Sequence, residues 1–152
     1  MKGRIMLAGV CLMGVVLGVA VPAGAAQNPP PTPCGPNLEA EIKNVRQDSR
    51  CFELRTYTVR EDSSIDLLHA RFRDRTTALF EKHGMTIIGY WQPTAKLDTL
   101  IYMLAFPDRP ARDAAWAEFG SDPEWVRTRN EMQVSIQVES VLMSATDYSP
   151  MN

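Results

Sequence analysis

His69 is the residue of this 152-residue chain that could act as a general base or as a ligand in a pocket. Small changes in surroundings move the pKa of a histidine across neutrality. His69 lies at the edge of the apolar face of a predicted helix, where a histidine is more often held in the core by a hydrogen bond. We favour that structural role and keep His69 as the candidate catalytic residue.

Glu53, Arg55 and Tyr57 form a second group, because they alternate along one face of a predicted strand. Polar side chains in the middle of a covered sheet need hydrogen-bond partners. One interpretation is a structural network, for instance an ion pair between Arg55 and Glu139. The other is a polar pocket wall that binds a small anion or a phenolic substrate. We favour the network.

Arg71, Arg73 and Arg75 form a basic run on the predicted helix. Helical spacing places Arg71 and Arg75 on an outward face and turns Arg73 toward His69. A solvated face with local ion pairs is the favoured interpretation, and a phosphate site the minor one, because no Gly-rich loop accompanies the run. The candidate pocket residues are therefore Arg55, Tyr57, His69, Arg73 and Trp91.

The sequence contains no known metal-binding or nucleotide-binding motif. The other histidine, His83, is a full helix away from His69 and is expected at the helix C-terminus. The aromatic residues Tyr90, Trp91 and Tyr102 are typical of a core or an interface. We predict neither a metal ion nor a cofactor.

These candidate residues are positioned by a predicted helix over residues 63–84 and the strand that follows it. Ser63 or Ser64 can cap the helix, and Gly84 can end it. The other predicted elements are strands at 51–60, 86–92, 99–106 and 133–145, and a helix from 108 to about 119. Gly120 is expected to end that helix, and a capping box of Ser121 and Glu124 to start the next one.

The order strand, helix, strand, strand, helix, strand predicts an α+β fold of the ferredoxin-like βαββαβ type, with an antiparallel sheet and both helices on one face. In the strand at 86–92, Ile88 and Tyr90 are expected on one face and Ile87 and Trp91 on the other. The sheet face without helices still carries large apolar groups. A second copy of the chain would cover it with an ordinary interface of about 800 Å² per partner, which predicts a homodimer built as a dimeric α+β barrel.

The first 25 residues have the pattern of a signal peptide: a basic start, an uncharged apolar run and the small residues Ala23-Gly24-Ala25. A membrane anchor is the alternative, but the run is shorter than the roughly 20 residues of a span. Removing this segment changes the formal charge from −2 to −4, which does not favour nucleic-acid binding. We expect an exported protein, periplasmic or secreted, without a stable membrane anchor.

Residues 26–49 form a Pro-rich leader, and residues 50–150 form the globular domain. Residues 39–50 could be a short helix or irregular. Cys34 and Cys51 are the cysteines left after signal removal, and export delivers them to an oxidising compartment. A disulfide between them would tie the leader to the first strand. Two unpaired thiols are the alternative.

Several short motifs, in order, resemble the NIPSNAP family. They are Glu53-Leu54-Arg55-Thr56-Tyr57-Thr58, Leu68-His69-Ala70-Arg71-Phe72-Arg73, Phe80-Glu81-Lys82-His83-Gly84-Met85, Gly89-Tyr90-Trp91, Asp122-Pro123-Glu124-Trp125 and Val138-Glu139-Ser140-Val141-Leu142. The resemblance implies the dimeric α+β barrel but little chemistry, since the same barrel serves cofactor-free monooxygenases. Members of the family have been linked to vesicle transport and mitochondrial roles, and the export signal of this chain departs from the mitochondrial members.

We expect an exported dimeric module that binds a small molecule or a protein partner. A cofactor-independent monooxygenase-like enzyme and a purely structural interaction module are the alternatives. A void lined by His69, Arg55 and Tyr57 would favour binding or catalysis. Tight packing there by Phe72, Leu79 and Trp91 would favour the structural module.

Overall fold

The computed structural model describes residues 33–151, in which four strands form one antiparallel sheet. The strands are β1 (Cys51–Val59), β2 (Thr86–Trp91), β3 (Thr99–Phe106) and β4 (Ile136–Ser144), in the spatial order β2-β3-β1-β4. β1 and β3 are central, and both are rich in the β-branched and aromatic residues that suit a covered strand. The predicted signal peptide and residues 26–32 lie outside the described residues.

The helices pack on one face of this sheet. They are α1 (Ile65–Arg71), a π-helical segment (Phe72–Thr76), α2 (Thr77–Lys82), α3 (Arg109–Ser121) and α4 (Pro123–Glu131). The first three follow one another without a break and correspond to the helix predicted over residues 63–84. The fold is therefore the predicted α+β, ferredoxin-like protomer of the dimeric α+β barrel class.

Local signals explain the ends of the first helix. The Ser64 side chain accepts a hydrogen bond from the Asp66 amide at 3.2 Å and caps α1. Gly84 follows α2 with a φ of 69°, a conformation that costs glycine little. The π-helical segment between α1 and α2 was not predicted.

The prediction for the two faces of β2 is wrong in part. A register shift between Ile87 and Gly89 interrupts the pairing of β2 with β3. As a result Ile87 packs in the same cluster as Tyr90, under the helices, and Ile88 packs on the other face. A bulge of this kind inserts one residue and reverses the alternation that follows it.

The junction of α3 and α4 also differs from the prediction. The helix continues through Gly120 to Ser121, whose hydroxyl donates to the Glu118 carbonyl instead of capping the next helix. Asp122 is the cap, because its Oδ1 accepts from the Glu124 amide at 2.7 Å. Its other oxygen accepts from Lys82 at 2.7 Å and from His83 at 2.8 Å, which ties α4 to the end of α2.

The described part of the leader is irregular. Its segment 39–50 forms turns and one isolated bridge, Val45 to Thr146, rather than a helix. The predicted disulfide between Cys34 and Cys51 is present, with Cα atoms 4.8 Å apart. The Gly35 amide also donates to Ser144 Oγ at 2.9 Å, so the leader is fixed to both β1 and β4.

The sheet face opposite the helices is apolar and incompletely covered. Leu54 lies between Met103 on β3 and Val141 on β4. Val141 is 54% exposed, and Trp91 at the edge strand is 48% exposed. Among residues 33–151 no helix has the length and apolar character needed to cross a bilayer.

Candidate functional site

Glu53 is the centre of a polar network under the helices. It is fully buried on β1, and its carboxylate accepts five hydrogen bonds of 2.7–2.8 Å. The donors are Arg55 Nη1, Arg112 Nε, Arg112 Nη2, Trp116 Nε1 and Ser140 Oγ. Alternation along β1 places Arg55 on the same face, and α3 supplies Arg112 and Trp116. Both oxygens of Glu53 are therefore fully occupied.

The network keeps Glu53 ionised. Burial by itself would raise its pKa, because the charged form loses its hydration. The hydrogen bonds from Arg112, Ser140 and Trp116, together with the charge of Arg55, outweigh burial and lower the pKa from 4.5 to about 2.

The predicted ion pair between Arg55 and Glu139 is wrong. In the pairing of β1 with β4, Arg55 lies opposite Ser140, whereas Glu139 lies opposite Thr56. Opposed residues share a sheet face, so Glu139 is on the face away from Arg55. Arg55 instead pairs with Glu53 at 2.7 Å and lies 4.4 Å from the ring centre of Trp116.

Arg71 is buried, although helical spacing placed it on an outward face with Arg75. It is 4% exposed, whereas Arg75 is exposed as expected. A π-turn joins residues five apart, and it brings Thr76 next to Arg71. Thr76 Oγ1 donates to the Arg71 carbonyl at 3.2 Å across this turn, and both residues face inward.

The Arg71 guanidinium has few partners. Its Nη1 donates to the Met132 carbonyl at 3.4 Å, and its Cζ lies 5.6 Å from the ring centre of Trp125. Among residues 33–151 no carboxylate forms an ion pair with it. Burial lowers the pKa of Arg71, and the nearby Tyr57 and Tyr102 only partly oppose this.

A cavity of about 220 Å³ lies between the sheet and the helices, and we call it the inner cavity. It is lined by Arg55, Tyr57, Arg71, Phe72, Thr76, Phe80, Trp116, Phe119, Gly120 and Trp125. The wall is mostly aromatic, and Phe119 and Trp125 are nearly stacked, with ring centres 4.5 Å apart. Two arginines contribute the charges.

Three donors at the inner cavity lack an acceptor within the described part of the chain. Arg55 Nε and Arg71 Nε are buried and unpartnered. The Tyr102 hydroxyl donates to the Tyr57 oxygen at 2.8 Å, so the proton of Tyr57 remains to be donated. Burial raises the pKa of Tyr102 well above its usual value, which keeps this hydroxyl protonated.

A larger and more open cleft of about 370 Å³ lies between α1 and the edge strand β2, and we call it the outer cleft. It is lined by His69, Phe72, Arg73, Thr77, Tyr90, Trp91, Gln92 and Leu100. His69 Nε2 donates to the Gln92 side-chain oxygen at 2.8 Å. Thr77 Oγ1 and the Tyr90 hydroxyl lie 3.2 Å apart.

The structure divides the predicted pocket residues between the two spaces. Arg55 and Tyr57 line the inner cavity, and His69, Arg73 and Trp91 line the outer cleft. Only Phe72 belongs to both linings. The single void expected to contain His69, Arg55 and Tyr57 together is therefore not formed.

Arg71, Arg112 and Trp116 are among the site residues that sequence reasoning missed. The position of Trp116 on the apolar side of α3 suggested only a core residue. Arg71 was missed because helical spacing had assigned it to the outward face of the helix. Across residues 33–151, no three His, Cys, Asp or Glu side chains lie close enough together to hold a metal ion.

The NIPSNAP family model matches residues 52–150 of the chain. No curated protein sequence matches it.

A NIPSNAP family protein with unknown function from Agrobacterium tumefaciens has a similar structure, with a TM-score of 0.64 and 19% identity. The match covers 72% of this chain and 99% of that one. An uncharacterized NIPSNAP-like domain protein from Burkholderia xenovorans is similar with a TM-score of 0.60 and 17% identity, over 66% and 89% of the two chains.

The fold is also similar to SnoaB, a cofactor-independent oxygenase from Streptomyces nogalater. The match to a mutant of that enzyme has a TM-score of 0.52 and 18% identity, and it covers 66% of this chain and 97% of that one. At this identity the likeness concerns the fold and not the chemistry.

Proposed function

This chain belongs to the NIPSNAP family, and we propose that it is an exported, homodimeric domain that binds a small aromatic molecule in the inner cavity. The observation that carries the proposal is a partly open cavity of about 220 Å³ whose walls are mostly aromatic. Protein interiors are close-packed and contain few voids larger than a water molecule. A space of this size therefore supports ligand binding over a purely structural module.

The size and walls of the inner cavity suit one aromatic ring with a small substituent. A protein cavity of about 150 Å³ holds benzene, so 220 Å³ leaves room for one more group. Aromatic rings surround the space in tilted and edge-to-face pairs, such as Phe80 with Trp116 at 5.6 Å and 78°. Such walls offer both faces and edges to a planar ligand.

The homodimer is supported by the apolar sheet face that carries Leu54, Met103 and Val141. No helix of the described chain covers it, and large side chains there are partly exposed. Export is supported by the pattern of the first 25 residues and agrees with a Cys34–Cys51 disulfide.

The three tryptophans of the chain make the proposal testable without a known ligand. Trp116 and Trp125 line the inner cavity, and Trp91 lines the outer cleft. Benzamide, a neutral single-ring probe, should shift the indole NMR signals of Trp116 and Trp125 in 15N-labelled protein. Benzamide should not shift the indole signal of Trp91.

Thr76 and Thr77 supply a matched pair of variants, because they are neighbours that line different spaces. Thr76→Leu narrows the inner cavity and should abolish the shifts at Trp116 and Trp125. Thr77→Leu narrows the outer cleft and should leave them unchanged. Shifts confined to Trp91, or no shifts at all, would contradict the proposal.

A cofactor-independent oxygenase-like enzyme is the second candidate function. It is favoured by the fold shared with SnoaB and by the position of His69 on the outer cleft. Oxygen uptake with an electron-rich dihydroxynaphthalene should then exceed that of heat-denatured protein and be lost in His69→Gln. The same variant should retain benzamide binding in the inner cavity, which separates the two candidates.

A further inference from the structure

We infer that the ligand of the inner cavity carries a carboxylate, which Arg71 and Arg55 receive together with the Tyr57 hydroxyl. This inference rests on the proposed function and adds the chemical class of the ligand. The aromatic walls would hold the ring, and the arginines would hold the anionic oxygens.

The charges around the inner cavity do not balance. Arg55 and Arg112 share one buried carboxylate, Glu53. Arg112 also reaches Asp113, but that carboxylate is 47% exposed and is itself shared with Arg109. Buried charges in proteins are normally paired. The network is therefore short of negative charge before Arg71 is considered.

Arg71 adds a buried cation without a counter-ion in the described chain. Asp62 borders a surface depression that Arg71 also lines, but no ion pair joins these two described residues. A buried charge without a counter-ion destabilises the folded state, and a bound anion would remove that effect. The π-helical segment begins directly after Arg71, and such segments are frequent at functional sites.

The inner cavity also has more hydrogen-bond donors than acceptors. Its unpartnered groups, Arg55 Nε, Arg71 Nε and the Tyr57 proton, are all donors. The nearest carboxylate, Glu53, has no oxygen to spare, since it already accepts five hydrogen bonds. A ligand that brings only acceptors therefore suits these side chains better than an amide or amine, which also brings donors.

A carboxylate fits this site better than other anions. Its two oxygens match the planar donors of a guanidinium. Such charge-assisted hydrogen bonds are stronger than those between neutral groups. A free inorganic anion would leave the aromatic walls unused, and one aromatic ring already occupies most of 220 Å³. The inferred class is therefore a single-ring aromatic carboxylate.

Benzoate and benzamide test this inference, because they have nearly the same shape and differ in charge. At neutral pH the benzoate carboxyl is ionised. We expect wild-type protein to bind benzoate about tenfold more tightly than benzamide or better, measured by titration of the Trp116 and Trp125 indole signals. If benzamide binds and benzoate binds no better, the inference fails and the proposed function stands. If neither binds, the proposed function fails.

Arg73 supplies the control for Arg71, because it is exposed and lines the outer cleft only. In Arg71→Met the ratio of the benzamide Kd to the benzoate Kd should fall close to one, while benzamide still binds. In Arg73→Met this ratio, the benzoate preference, should not change. Unchanged preference in Arg71→Met, or an equal loss in Arg73→Met, would overturn the assignment. If Arg71→Met does not fold, Arg71→Lys replaces it: a retained but weaker preference supports the assignment, and an undiminished one overturns it.

Discussion

Arg112 donates two hydrogen bonds to the Glu53 carboxylate, from Nε to Oε2 at 2.8 Å and from Nη2 to Oε1 at 2.7 Å. This bidentate ion pair joins α3 to the central strand β1. It also holds Trp116 over Arg55. It therefore forms one wall of the inner cavity. The fold and the candidate site depend on the same carboxylate.

Glu53→Gln should lower the free energy of unfolding by about 3 kcal/mol, because it leaves Arg55 without a charged partner and Arg112 with only the half-exposed Asp113. Urea denaturation measures the change. Asp113→Asn is the control, since that carboxylate also contacts Arg112 but is half-exposed. We expect Asp113→Asn to lower the free energy of unfolding by less than about 1 kcal/mol. Equal losses in the two variants would contradict a dominant role for Glu53.

The pH dependence of stability follows from the lowered pKa of Glu53. A carboxylate with a pKa of about 2 in the folded protein and 4.5 in the unfolded chain stabilises the fold fully above pH 4.5. This contribution is lost as the pH falls toward 2. At about 1.4 kcal/mol per pKa unit, it amounts to roughly 3 kcal/mol.

Urea denaturation at a series of pH values from 7 to 2 tests this dependence. Glu53→Gln should flatten most of the acid slope of the wild type. A residual slope is expected from Asp122, because its hydrogen bonds with Lys82 and His83 also lower its pKa. A variant slope as steep as that of the wild type would refute the assignment to Glu53.

The disulfide should stabilise the folded chain measurably. It joins cysteines 17 residues apart, and closing a loop of about that length contributes about 3 kcal/mol in the chain-entropy model. Cys34→Ala should therefore lower the free energy of unfolding by about 3 kcal/mol. Reduction should destabilise the wild type to the same degree and leave the variant unaffected. Two reactive thiols in unreduced, denatured protein that starts at Ala26 would contradict the bridge.

Local sequence patterns predicted the fold and part of the site. Alternation along β1 placed Glu53, Arg55 and Tyr57 on one face, and the structure confirms this. Caps and glycines predicted the ends of the first helix. These features depend on neighbouring residues, so the sequence alone was sufficient.

The missed features depend on distant parts of the chain. The partner of Arg55 follows from the register of β1 against β4, which no local pattern determines. The exchange of Ile87 and Ile88 follows from a bulge in the pairing of β2 with β3. One additional residue there turns the later side chains of β2 to the opposite face.

Dimerisation through the open sheet face should be sensitive to charge at Val141. This side chain is 54% exposed on β4, beside Leu54, so Val141→Asp should not disturb the protomer. In a symmetric dimer each copy would bury one added carboxylate at the interface. Burying an unpaired charge costs several kcal/mol, and we expect the dimer to weaken on the order of 100-fold or more.

Light scattering at micromolar concentration measures the outcome on protein that starts at Ala26. The wild type should have twice the chain mass, and Val141→Asp the mass of one chain with an unchanged circular dichroism spectrum. Leu97→Asp is the control, because Leu97 is 69% exposed in the loop between β2 and β3 and borders a depression at the start of α1, with Ser64 and Ile65. It should remain dimeric. A wild-type monomer, or dissociation of both variants alike, would exclude the sheet face as the interface.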